Sequence, residues 1–493
     1  MPEHRTPTEL IQMYWDRIWN QRETELIREI CADPIVRHDP RSTATLTHDE
    51  QIARVSHWAV SIEPHFTHEV LHGDDRYVTS VWNMVSRKGP SMELSGIEVF
   101  RADNGRFTDC WNSTYMQGLW GRVGQEAVAP LPLELLTSID SITADWLQRV
   151  LLDAGLKVPH VALIEAERIG SGNLSATARV NIGYNAAAKA DAPVSVFCKF
   201  NSPLQQAQDQ TVATGAVLRE VSAYDFFPAE PVLHMPRAYL AKSDAQGAIY
   251  NMVLEDLSQS TRPGDQVTGC SVGEAAAVVE ELGKLHRAYW KSPVLAEQAW
   301  ALRRGAMADL LHRQYQSAAM EIRRRYAGRM SRSALETIDA FAPLVGRWTA
   351  LETACPTLLH GDARVDNVLF GDKGGHPLAY LIDWQFTSVG DAMLDVAYFL
   401  TGSLSPDDRR RCERDLIARH TGYIREIDPT YTLEMALEAY RLNAVAGLQF
   451  AIIAVLAMPV GGRGDDVLIA LAERTTAAVR DWDALTAINA AIA

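Results

Sequence analysis

Two aspartates and an asparagine frame the chemistry this sequence can do. In the stretch LLHGDARVDNVLFGDKGGHPLAYLIDWQ, residues 358–385, Asp362 and Asn367 stand five positions apart in a polar loop, and Asp383 follows inside the apolar strand LAYLIDW. A hydroxyl attacking a terminal phosphate needs a carboxylate that orients it and takes its proton, and magnesium ions beside it need hard oxygen ligands. The Asp-x-x-x-x-Asn spacing supplies both from one loop. Asp383 adds a second carboxylate from the neighbouring strand. The bland alternative, an Asp- and Gly-rich turn ahead of a strand, leaves the agreement with the upstream elements unexplained.

Those elements are a glycine loop, a lysine and a glutamate. Residues 160–184 read as strand, loop, strand, and the loop holds Gly170, Ser171, Gly172 and Asn173. Glycines let backbone amides approach phosphate oxygens without a Cβ in the way. The next strand, APVSVFCKF (192–200), puts Lys199 near its end, where an ammonium reaches back to the α- and β-phosphates of a nucleotide. A helix over 213–227 then carries Glu220 among Val217, Leu218, Val221 and Tyr224, placed to hold Lys199 as an ion pair. The strand MVLEDLS (252–258) turns polar as a hinge between lobes does. From Ser271 the chain is helical, and His286 and Trp290 read as core.

HGDxxxxN followed by an Ile-Asp-Trp strand resembles the aminoglycoside phosphotransferase and choline kinase superfamily. The run DWQFTSVGDAMLDVAYFL (383–400) resembles its ecdysteroid-kinase-like branch, as does the Thr-x-x-Trp-Leu opening at Thr143. The resemblance covers about 141–400. It implies a bilobal protein-kinase-like fold that uses ATP and Mg²⁺, with Asp362 as catalytic base and Asn367 and Asp383 as magnesium ligands. Gly170, Ser171, Gly172, Asn173, Lys199, Glu220, Glu255 and Leu257 would surround the nucleotide. It also implies that Asp391 and Asp395 bond the backbone around the catalytic loop rather than a metal. The acceptor is then a small-molecule hydroxyl, which the branch suggests belongs to a steroid, terpenoid or polyketide; aminoglycosides, macrolides and choline stay open. A catalytically silent nucleotide- or ligand-binding protein is the alternative, and the joint presence of Lys199, Glu220, Asp362, Asn367 and Asp383 speaks against it.

Composition bounds the rest. A chain of 493 residues, 47% of them hydrophobic, is long enough for two or three domains with real cores. A formal net charge of -15 and a pI near 5.4 argue against a nucleic-acid partner, whose affinity is built from clustered Lys and Arg. Six scattered cysteines form no CxxC pair, so neither zinc nor a disulfide framework is indicated. MPEHRTPTEL is polar and acidic, unlike a signal peptide, and the apolar run 450–458 is less than half of the roughly 20 residues that span a bilayer. A cytoplasmic protein without a membrane segment is expected.

The amino-terminal part reads as one helix over 8–30, with Leu10, Ile11, Tyr14, Trp15, Ile18 and Trp19 at helical intervals, and then alternating strands over 77–86, 92–101 and 107–111. Residues 7–124 resemble the SnoaL-like and ketosteroid-isomerase-like cone, an α+β fold. The carriers are the helix ending near HDP (38–40), GIEVFRADNGRFTDCW (96–111) and GLWGRVG (118–124). Members of that family keep a proton-transfer carboxylate in the cone, but a frequent acidic position, four residues after the strand tryptophan, is Tyr115 here. His38, Asp39, His72 and Asp109 then read as turn or rim groups. Trp58, Phe66, Trp82, Phe100 and Trp111 either line the cone or fill it. The resemblance implies a homodimer through this domain, or capture of the acceptor, with no turnover of its own; isomerase or cyclase activity is a further reading. Glycine and proline over 121–132 mark a boundary, giving a cone domain 1–124, a linker 125–137, an N-lobe 138–257 opened by a helix capped by Thr143, and a C-lobe 258–493.

Overall fold

The computed structural model describes residues 5–40, 42–88, 92–113, 116–120, 133–169, 175–185, 192–228, 231–457 and 461–492. The chain divides into two compact units: Met1–Glu134 with Ile142–Leu163 and Tyr184–Ala190, and Leu135–Ser141 with Ile164–Gly183 and Asp191–Ala493. Of the linker expected over 125–137, residues 125–132 lie outside the described residues.

In the first unit, Thr6 and Glu9 form a capping box that starts helix Pro7–Gln12, which runs on as π-helical turns Met13–Asn20. This stretch buries Leu10, Ile11, Tyr14, Trp15, Ile18 and Trp19. The single helix expected over 8–30 stops there. Residues 20–25 (NQRETE) offer no apolar stripe to hold a helix to the core, Arg22 takes φ 65°, and after the short helix Ile27–Ile30 the chain enters strand Cys31–Asp39. His38 and Asp39 therefore close a strand rather than a helix. The sheet runs, in spatial order, Ser42–Leu46, Cys31–Asp39, Arg106–Asn112, Glu93–Asp103, Tyr77–Ser86, Pro64–Gly73, with Met116–Gln117 added beside Glu93–Asp103. Cys31–Asp39 pairs with Arg106–Asn112 in parallel, and the other pairings are antiparallel. Helix His48–Ser61, started by a Thr47–Glu50 capping box, completes this mixed α+β cone.

The second unit combines a five-stranded sheet with a largely helical body. The sheet order is Ala238–Ser243, Tyr250–Glu255, Ser195–Asn201, Ser175–Tyr184, Val161–Arg168. Lys199 sits in the middle strand, in register with Thr177 on one side and Met252 on the other. The helix expected over 213–227 starts later, at Ala216, because Gly215 takes a left-handed conformation and ends a preceding helix Gln205–Thr214. Helix Val272–Ala288 opens the helical body with a Ser271–Glu274 capping box. Two three-stranded sheets follow, one of Thr261–Pro263, Val368–Lys373 and His376–Leu381, the other of Leu302–Arg303, Ser388–Asp391 and Pro356–Leu359. Helix Ala392–Ser403 is buried along its whole length, as its nearly uninterrupted apolar sequence requires. Residues 450–454 end helix Ala446–Ala454, and among the described residues no helix is long and apolar enough to cross a membrane.

Two backbone positions shape the region that holds Asp362 and Asp383. The strand expected to contain Asp383 ends at Leu381, and Asp383 lies beyond it with φ 67°, a region that aspartate tolerates better than most residues. Gly361 has φ 84°, and a Cβ there would stand 1.9 Å from the Phe386 carbonyl oxygen. Gly361→Ala combines left-handed strain with a backbone collision and should destabilise the second unit by about 3 kcal/mol. Differential scanning calorimetry should then show its transition lowered by roughly 5–10 °C, with the first unit unaffected.

Candidate functional site

The middle strand delivers Lys199 into a cluster of carboxylates. Its Nζ lies 2.6 Å from Glu220 Oε2 and 3.5 Å from Asp383 Oδ1. Gln385 Nε2 donates to the same Glu220 oxygen at 3.2 Å, and Arg219 Nε donates to the Gln385 carbonyl at 2.7 Å. One helix, Ala216–Phe226, thus holds both the lysine and the segment after strand His376–Leu381. Lys199 and Glu220 are buried. Burial disfavours the ammonium, but Asp383 and Glu220 outweigh it and raise the Lys199 pKa above the ordinary lysine value. The Asp383 side chain keeps 37% of its surface exposed, so its carboxylate stays within reach of a cation.

The loop after strand Pro356–Leu359 fixes Asp362 by both carboxylate oxygens. Tyr398 donates its hydroxyl to Oδ1 at 2.8 Å, Asn367 Nδ2 donates to Oδ2 at 2.8 Å, and Arg364 Nε donates to Oδ2 at 3.4 Å. Asn367 Nδ2 also donates to the Asp362 carbonyl at 2.9 Å, so the amide nitrogen is spent on the loop itself. Asp395 accepts from the backbone N–H groups of His360 at 2.6 Å and Gly361 at 2.9 Å. Behind it, His286 Nε2 lies 3.3 Å from Asp395 and His286 Nδ1 2.7 Å from His420 Nε2, all buried. Asp391 does something else: it caps its own helix through Met393 N–H at 2.8 Å and takes the Thr353 hydroxyl at 3.0 Å. The loop and Asp383 are joined through the backbone, since Ile382 N–H donates to the Asn367 carbonyl at 3.1 Å and His360 Nε2 lies 2.9 Å from the Ile382 carbonyl.

The structure brings together Lys199, Glu220 and Asp383 around one centre, with Asp362 and Asn367 on the loop bonded to it. Gly170, Ser171, Gly172 and Asn173 lie outside the described residues. In the hinge, the Glu255 carboxylate accepts from Arg237 N–H at 3.2 Å, and the Leu257 carbonyl is taken by the N–H groups of Ser260 and Thr261. The side chain between them, Asp256, is tied to Arg179 at 2.9 Å and Ser195 at 2.7 Å. Among the described residues no three His, Cys, Asp or Glu side chains cluster as a metal site. The Asp383 carboxylate and Asn367 amide oxygen are still the hard donors that suit Mg²⁺, which takes most of its shell from water and phosphate. Tyr398 and Arg364 were not singled out from sequence; the tyrosine lies 36 positions from Asp362, in the AYFL run, where it reads as core.

The cone holds a second polar group that sequence reasoning did not find. Of the aromatic set named above, Phe66, Trp82 and Phe100 are buried, whereas Trp58 and Trp111 are 42% and 36% exposed. His38 Nε2 lies 3.4 Å from Asp109 Oδ1 and its ring stacks on Trp111; Asp109 also pairs with Arg101, Asp39 with Arg37, and His72 is exposed. Inside, a cavity of about 100 Å³ is walled by Trp15, Trp19, Phe66 and Trp82 and takes in Arg54 and Glu98. Glu98 is 4% exposed, and burial pushes its carboxyl up to about 7 against the pull of Arg37 and Arg54. The expectation that the cone lacks an interior carboxylate is thus overturned. The signal was present: Gly96, Glu98, Phe100 and Ala102 alternate inward along one strand, and Gly96 has no Cβ because Trp82 lies where it would be.

Residues 169–430, more than half of the chain, match the model of the phosphotransferase enzyme family, and residues 11–110 match that of the SnoaL-like domain. No curated protein matches the chain. Among solved structures, ethanolamine kinase of Plasmodium vivax is 9% identical, with 65% of this chain and 83% of that one covered and a TM-score of 0.41. IdmH of Streptomyces antibioticus is 15% identical, covering 22% of this chain and 91% of that one, with a TM-score of 0.20. An LEH-like epoxide hydrolase of M. tuberculosis is 13% identical, covering 23% and 84%, with a TM-score of 0.21.

The raised Glu98 pKa makes a stability prediction whose sign is fixed. Its folded value of about 7 exceeds the ordinary 4.5, so the folded cone binds the extra proton and loses stability as pH rises from 4.5 through 7. Glu98→Gln, which cannot ionise, should match the native chain at pH 4 and exceed it by about 3 kcal/mol at pH 8. Urea unfolding of the first unit at the two pH values checks this.

Proposed function

The chain belongs to the phosphotransferase enzyme family, and from that premise we propose that it moves the γ-phosphate of ATP onto a hydroxyl of a small molecule. The observation that carries this reading is the joining of Lys199, Glu220 and Asp383 into one charge cluster, bonded through Ile382 to the loop that fixes Asp362 and Asn367. In this reading Lys199, kept charged by its two carboxylates, holds the α- and β-phosphates, and Glu220 fixes its position. Asp383 and the amide oxygen of Asn367 would hold Mg²⁺, which supplies neutralisation of the phosphate charge. Asp362 orients the acceptor hydroxyl and takes its proton as that oxygen bonds to the γ-phosphorus and the bond to ADP breaks. Tyr398 and Asn367 hold the carboxylate so that its orientation is set before the acceptor arrives.

The acceptor class is drawn from two features. The DWQ…DVAYFL run resembles the ecdysteroid-kinase-like branch. Beside the base, the Tyr398 ring stacks on Phe450 at 5.0 Å and Phe450 meets the partly exposed Phe386 at 5.8 Å. An aromatic wall next to Asp362 suits a hydroxyl borne by a bulky apolar skeleton, such as a steroid, terpenoid or polyketide.

Incubation with Mg·ATP and a panel of hydroxylated metabolites, read by mass spectrometry, tests the reading: a gain of one phosphate on an apolar alcohol supports it, and transfer to none of the panel, with no Mg²⁺-dependent ATP turnover, refutes it. On the acceptor so found, Asp362→Asn should retain ATP binding and lower kcat by roughly 10² to 10⁴. Tyr398→Phe should lower kcat by about tenfold, leaving KM for ATP unchanged.

A further inference from the structure

Arg364 stands two residues beyond Asp362, and its guanidinium is shared unequally between two carboxylates. Nη1 meets Asp366 Oδ2 at 2.8 Å, whereas Nε reaches Asp362 Oδ2 only at 3.4 Å. Arginine frequently closes on a carboxylate with two short, parallel N–H···O bonds. Such a pair on Asp362 would occupy the oxygen lone pairs that an acceptor hydroxyl has to approach, and would weaken the carboxylate as a base.

Asp366 is anchored from two remote parts of the chain. Its Oδ1 accepts the Gln266 N–H at 2.8 Å and lies 2.9 Å from Arg463 Nη2, which also meets Asp265 at 2.8 Å. Gln266 is buried; its side chain donates to the Gly402 carbonyl at 2.7 Å and accepts the Val365 N–H at 3.2 Å. One oxygen of Asp366 is thus fixed to the loop after strand Thr261–Pro263 and to the first residue of helix Arg463–Asp481, and the other is left for Arg364.

We infer that Asp366 is a positioning residue whose charge holds Arg364 away from the carboxylate of Asp362, leaving that carboxylate open to the acceptor hydroxyl. This role rests on Asp362 acting as the base in the proposed phosphoryl transfer. With the charge of Asp366 removed, Asp362 at 3.4 Å becomes the nearest carboxylate to the Arg364 guanidinium among the described residues, and nothing of opposite charge holds the arginine back.

The test is Asp366→Asn in the full chain. Asparagine keeps an oxygen for Gln266 and Arg463 but turns an N–H₂ group toward Arg364. A crystal structure of this variant should show the guanidinium closed on Asp362 with two N–H···O distances of about 2.8 Å. A guanidinium that stays at its native distance overturns the proposal, whether or not the chain proves to be a kinase. In solution, ADP release from Mg·ATP with water as acceptor should fall about tenfold or more in kcat, with KM for ATP unchanged. Adding Arg364→Gln to Asp366→Asn should then recover kcat, because the group that closes on the base is gone. If Asp366 only supports the loop, the second change deepens the loss, and that result overturns the proposal. A native chain that turns over no Mg·ATP refutes phosphoryl transfer itself, and the crystal structure still decides where Arg364 goes. Should Asp366→Asn fail to fold, Arg364→Gln is compared with the double variant: equal kcat supports the proposal, and a further loss of about tenfold overturns it.

Discussion

A buried ammonium organises the second unit. Removing a charge from water costs several kcal/mol unless partners compensate for it, and Lys199 meets this by touching carboxylates from two separate parts of the chain. Glu220 comes from a helix that follows the lysine strand, and Asp383 comes from a turn far downstream. Glu220 is the closer and the more deeply buried of the two, so its removal would leave the ammonium with only the longer contact to the partly exposed Asp383. The position of helix Ala216–Phe226 against the sheet and of the 383 turn against both is therefore set by electrostatics as well as packing. Arg219 and Gln385 extend the same tie through a backbone carbonyl.

The loop bearing Asp362 shows a complementary strategy, in which the carboxylate is held at 2.8 Å by two neutral side chains, Tyr398 and Asn367, with Arg364 at a longer 3.4 Å. Asp395 neutralises two backbone N–H groups at the left-handed turn, and a buried His286–His420 pair stands behind it. The network is not closed, since the buried His420 Nδ1 has no partner among the described residues. The cone treats its own buried acid differently again. Glu98 is buried, and the protein tolerates it by shifting it toward the neutral form.

How much of this the sequence disclosed depends on how local each feature is. Asp362 and Asn367 are read together because one loop fixes both, and Lys199 with Glu220 because a strand and the helix after it keep a polar residue on an otherwise apolar face. The strand over 77–86 was legible from its alternation, and the Thr143 cap from local chemistry. Asp383 was placed inside a strand because the apolar run continues to Trp384, yet the turn that ends pairing at Leu381 depends on contacts with residues far away in sequence. Tyr398 reads as core, and only the fold reveals that its hydroxyl meets Asp362. The strands over 31–39 and 64–73 were missed because their polar residues do not alternate cleanly. Glu98 was overlooked although it shares inward parity with Phe100.

The measurement that bears most directly on the Lys199–Glu220–Asp383 cluster is a double-mutant cycle on Mg·ATP affinity, by calorimetry, with Lys199→Met and Glu220→Gln singly and together. If the two act as one unit on the same phosphates, each change weakens binding by about tenfold or more and the double variant is no weaker than the worse single one. Losses that multiply in the double variant would contradict it, as would a Glu220→Gln chain that binds Mg·ATP as tightly as the native protein.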